Sequence, residues 1–69
     1  MKIKIADLIP GKLYHFEANS SLFDDKIGMF IEIKRIFHKG FMEGDYFIIL
    51  CETSIEKLHM IFYNIHELT

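Results

Sequence analysis

The chain has 69 residues, 51% of them apolar and 26% charged, with a net charge of −2 and a single cysteine. A chain this short buries only about 60% of the surface its unfolded form exposes, so one core claims nearly every large apolar residue and a second domain is excluded. Twelve Ile, six Leu, seven Phe and three Tyr exclude a disordered segment, and a lone Cys51 excludes an intramolecular disulfide and points to a reducing compartment.

Residues 2–9, KIKIADLI, alternate polar and apolar at their start, which predicts a half-buried strand. The pattern contains no apolar stretch long enough for a signal peptide or a membrane span, so the expectation is a cytoplasmic protein. Pro10-Gly11 predicts a turn, because Pro fixes φ and Gly accepts a positive one. Residues 12–18, KLYHFEA, alternate again and place Tyr14, Phe16 and Ala18 on one face of a second strand. Residues 19–26 read as a loop anchored by Leu22 and Phe23.

From Ile27 to Phe37 the chain reads IGMFIEIKRIF, the longest predicted strand, with Met29, Ile31 and Ile33 on one face and Glu32 and Lys34 on the other. The alternation breaks at Arg35-Ile36-Phe37, which predicts a bulge or bend, and Gly28 offers another. Residues 38–45 read as a hairpin loop between the third and fourth strands. Residues 46–52, YFIILCE, are nearly all apolar, as expected of a central strand covered on both faces, or of one whose outer face meets a partner. After a turn at Glu52-Thr53-Ser54, residues 57–63 predict a fifth strand with Leu58, Met60 and Phe62 on one side. Asn64 to Leu68 reads as a single helical turn capped by Asn64.

No segment keeps a 3.6-residue period, and the strands recur at the spacing of small barrels and sandwiches. The fold class is therefore all-β, expected as a small five-stranded antiparallel barrel spanning residues 1–69, with one short helical turn near the C-terminus. Closing the sheet removes its own edges, which favours a barrel in so short a chain.

The segments L-I-P-G-K-L-Y at 8–14, G-M-F-I-E-I at 28–33, Y-F-I-I-L at 46–50 and N-I-H-E-L at 64–68 resemble the SH3-like barrel, and in particular small proteins of that type encoded by tailed bacteriophages. The resemblance implies the barrel fold and an accessory role, binding a host factor or a virion component. The chain departs from peptide-binding SH3 domains in having no Trp after Ile48-Ile49, so proline-rich ligands are not expected.

No motif fixes a chemistry. His15, His38, His59, His66 and Cys51 lack the close pairing of structural zinc ligands, and His15 and His59 read as outward strand residues, with His66 in the closing turn. Cys51 lies in an apolar run, where a buried thiol is inert. The Asp24-Asp25 and Glu43/Asp45 carboxylates read as loop residues, and no glycine belongs to a phosphate-cradling motif. The expectation is a non-enzymatic protein without metal or cofactor.

Apolar excess points to protein binding: Phe30, Phe37, Phe41, Tyr46, Ile48 and Tyr63 fall off the inward register or in loops, and an exposed apolar patch on a small domain marks an interface with a protein partner or with a second copy. The alternative is a small barrel binding RNA or single-stranded nucleic acid through Lys34, Arg35 and Lys39 beside those aromatics, a reading that the acidic net charge opposes.

Overall fold

The computed structural model describes residues 2–68. Six strands form one open antiparallel sheet: β1 (Lys2–Ile3), β2 (Leu13–Ala18), β3 (Lys26–His38), β4 (Phe41–Cys51), β5 (Ser54–His59) and β6 (Tyr63–Glu67), in spatial order β1-β6-β2-β3-β4-β5. The all-β expectation holds, with six strands in place of five.

The difference lies at the two ends of the chain. Alternation in residues 2–9 lasts only as far as Ile5, and the chain then folds into a 3-10 turn at Ile5–Asp7, in which the Asp7 N–H donates to the Lys4 carbonyl (2.9 Å). Near the C-terminus the expected order is reversed. The 3-10 turn occupies Met60–Phe62, with the His59 side chain accepting from the Ile61 N–H, and residues 63–67 are a strand. Tyr63 and Ile65 alternate inward there, and β6 gains ladders to both β2 and β1. These backbone pairings outweigh the weak helical preference of so short a segment.

Pro10-Gly11 turns as the sequence predicts, with Gly11 at φ +89°. The turn is clipped to β3 by Gly11 N–H to the Phe30 carbonyl (2.8 Å) and Phe30 N–H to the Lys12 carbonyl (2.9 Å). The bend expected at residues 35–37 is present: Ile36 pairs with Gly44 and Phe37 with Met42, leaving Glu43 as the extra residue. A second shift leaves Ile31 without a partner between the pairs Phe30–Ile49 and Glu32–Ile48. That bulge corrects the face assignment of β3. Gly28 and Phe30 point inward in place of Met29 and Ile31, because the alternation was read straight through an unpaired residue.

The expected hairpin loop at 38–45 is instead strand. Lys39 and Gly40 both take positive φ, +50° and +82°, the pattern of a two-residue type I′ turn, so His38 pairs directly with Phe41.

One core lies on the concave side of the sheet, where Tyr14, Phe16, Phe30, Phe47, Ile49, Leu58, Tyr63 and Ile65 pack together. These residues come from β2 through β6, so the sheet curls enough for both ends to share one core. Among the described residues no side-chain polar atom is buried without a hydrogen-bond partner. Among the described residues no helix is long and apolar enough to cross a membrane. β2 pairs with β3 only as far as Met29, and β5 pairs with β4 only from Tyr46 onward. The remainder of β3 and β4 therefore stands out as a two-stranded arm, and the molecule measures 41 × 27 × 26 Å.

Candidate functional site

The arm carries apolar side chains that the core does not use. Phe37 is 61% exposed, Phe41 79% and Met42 59%, and Phe37 and Met42 form a direct cross-strand pair. An open depression of about 450 Å³ runs along the tip between His38, Lys39, Phe41, Met42 and Glu43. The ribbon is held mainly by its own ladder, by its tight turn and by an exposed pair between Arg35 Nε and Asp45 Oδ1 at 3.0 Å. That carboxylate raises the Arg35 guanidinium above its ordinary value.

Of the six residues predicted to form an interface, the structure exposes Phe37 and Phe41, leaves Ile48 half-buried on the convex face, and buries Phe30, Tyr46 and Tyr63. The last three are corrections. Phe30 turns inward because of the bulge at Ile31, and Tyr63 opens β6 facing the core. Tyr46 sits on the convex face but is covered from several sides. The His59 ring lies 4.7 Å from it, Lys57 Nζ lies 4.8 Å from its centroid, and its hydroxyl donates to Glu43 Oε1 at 2.9 Å. The hydrogen bond to the Glu43 carboxylate, with burial second, holds the Tyr46 phenol above its ordinary range.

Tyr46 and His59 continue into an aromatic cluster that the sequence does not signal. Phe62 lies 5.5 Å from His59 and Phe23 lies 4.8 Å from Phe62, enclosing a cleft of about 250 Å³. Phe23 thus anchors the 19–26 segment as expected, whereas Leu22 is 85% exposed and anchors nothing. His59 lies on the outward face of β5 as expected, and there it belongs to this cluster.

The convex face carries a second apolar feature. Leu13 pairs with Met29, Met29 with Leu50 and Leu50 with Ile55, a row crossing four strands. Leu13 is 53% exposed, Ile55 68%, and Met29 and Leu50 are half-buried. In the neighbouring row Ile48 stands between Glu32 and Lys57.

The titratable groups are mostly satisfied locally. His15 and His66 are cross-strand partners with rings 5.6 Å apart, and each has its own carboxylate: Asp25 at 3.1 Å from His15 and Glu17 at 2.9 Å from His66. His66 thus lies in β6, not in a closing turn. Asp25 also accepts the Ala18 N–H at 2.8 Å, and this bond first, with His15 second, lowers its carboxyl below the ordinary value. Among the described residues no group of three or more His, Cys, Asp or Glu is placed to hold a metal ion. Burial, followed by the nearby Glu56, pushes the Cys51 thiol up. The three cations considered for nucleic acid diverge. Lys34 and Arg35 project from opposite faces as successive strand residues, Arg35 is paired to Asp45, and Lys39 sits in the hairpin turn.

No family model matches the chain, and no curated protein or solved structure matches it.

Proposed function

We propose that the chain is a non-enzymatic cytoplasmic binding protein, built as an SH3-like barrel, that engages a protein partner through its β3–β4 arm and also associates with itself. The barrel is supported by the way a long, bulged β3 serves β2 on one side and β4 on the other, and by the 3-10 turn that returns β6 beside β2. The accessory role in a tailed bacteriophage follows from the sequence resemblance.

One observation carries the functional reading. Phe37, Phe41 and Met42 are held out on a two-stranded ribbon where they bury little and stabilise little. Exposed aromatics and methionines on a small domain are the side chains that interface cores favour. The divergence of Lys34, Arg35 and Lys39, together with the net charge of −2, gives nucleic acid no continuous basic track.

The test is capture from bacterial lysate on immobilised protein, with and without nuclease, followed by mass spectrometry. A discrete protein should survive nuclease and about half-molar salt, which screens exposed charges beyond a few Å, and should be lost from the Phe41→Asp variant. Retention that nuclease abolishes, and that Lys34→Glu weakens, would replace this reading with nucleic-acid binding.

A further inference from the structure

The convex face of β3, β4 and β5 is arranged symmetrically about β4. Reading outward from β4, Leu50 is flanked by Met29 on β3 and Ile55 on β5, and Ile48 is flanked by Glu32 on β3 and Lys57 on β5. One row is apolar on both sides. The next carries opposite charges at equal distances from the centre.

Adjacent strands lie about 4.8 Å apart, so Glu32 and Lys57 are separated by two strand spacings and Ile48 stands between them. Glu32 has no ion-pair partner among the described residues, and Lys57 reaches only the Tyr46 ring. None of the described elements covers Ile55, which is 68% exposed.

We propose that this face binds a second copy of the chain, the two sheets stacking convex face to convex face about a two-fold axis parallel to β4. Such an axis places Leu50 on Leu50 and Ile48 on Ile48 of the two copies, Met29 against Ile55, and Glu32 against Lys57 on both flanks. Each unpaired charge thereby gains its opposite at the rim of an apolar strip, the distribution that protein interfaces adopt. An isologous contact of this kind closes at two subunits.

Because β5 ends the sheet, the matched surface is three strands wide, and three strands by about 20 Å of strand give a footprint of about 300 Å² per copy. That is below the area of stable specific interfaces, so the dimer is weak and transient and forms only at high protein concentration. Because the axis runs along the strands, both arms emerge at the same end and offer a partner two copies of Phe37, Phe41 and Met42. The inference deepens the proposed self-association by assigning it a face, and it stands or falls independently of partner binding by the arm.

Sedimentation equilibrium across micromolar to millimolar concentrations should show a dimer of twice the 8.2 kDa chain mass. Glu32→Lys and Lys57→Glu should each weaken it by about tenfold or more, by setting like charges opposite one another, and the double reversal should restore it. Ile48→Cys in a Cys51→Ser background should be cross-linked between copies by a short bis-maleimide, because stacked sheets lie about 10 Å apart, beyond the reach of a direct disulfide. Phe41→Asp should leave dimerisation intact while abolishing partner capture. A chain that stays monomeric throughout, or a dimer that ignores both charge reversals and is lost with Phe41→Asp, overturns the proposal.

Discussion

A β-carbon on Gly44 would lie 2.5 Å from Nε2 of His59. Gly44 follows the extra residue Glu43 in β4 and has φ +149°, a backbone conformation that side-chain-bearing residues seldom adopt. Its missing side chain leaves room for the imidazole, which lies between Tyr46 and Phe62. One glycine thus makes room for the aromatic cluster, next to the extra residue at the base of the arm.

Gly44→Ala should therefore destabilise the fold by about 1–3 kcal/mol, through backbone strain and displacement of a packed ring. Urea titration should show a lower midpoint with an unchanged slope. A variant as stable as the parent would mean that the His59 ring moves aside freely and contributes little to this cluster.

Phe41→Asp and Phe16→Ala should separate binding from folding. Phe41 is 79% exposed, so its replacement should cost less than about 1 kcal/mol, whereas Phe16 is fully buried against Phe47 and its truncation should cost about 3–5 kcal/mol. Thermal melts of the two proteins make the comparison. A large loss for Phe41→Asp would show that the arm supports the fold and would remove the reason for assigning it to a partner.

The pH dependence of stability should have an acid limb traceable to Asp25. Its carboxyl is held below the ordinary value by the Ala18 N–H and by His15, so its contribution is complete above the unfolded value and is lost as pH falls through the folded one. That window lies below about pH 4. Asp25→Asn should lower stability at neutral pH and flatten this limb, and an acid limb unchanged in the variant would assign it to other carboxylates.

Cys51 should be a slow nucleophile. Burial raises its thiol and Glu56 adds to the effect, so alkylation at neutral pH should run well below the rate of the unfolded chain and should accelerate on adding denaturant. Equal rates in both states would show that the C-terminal end of β4 opens readily.

Legibility in the sequence followed the unit in which each signal is written. Period-two alternation in 12–18 and the near-continuous apolar run at 46–51 marked strands wherever pairing is regular. The Pro10-Gly11 turn was also readable, because those residues restrict their own φ. The arm was not readable: Lys39-Gly40 forms a two-residue turn without the usual Asn or Asp, so residues that belong to strands looked like a loop.

Composition and alternation by themselves determined a single all-β domain with one apolar core, because burial and strand periodicity are properties of neighbouring residues. Tertiary structure alone decided which aromatics face water. A single unpaired residue, Ile31 in β3 or Glu43 in β4, reverses the face of everything beyond it. Where an extra residue falls is settled by the partner strand, and pairing with a partner strand is not written in the local sequence. For this reason Phe30 faces the core and Glu32 came to stand beside Ile48, while Tyr46 was covered on the convex face by His59, Lys57 and Glu43 and Tyr63 was turned inward by the pairing of β6.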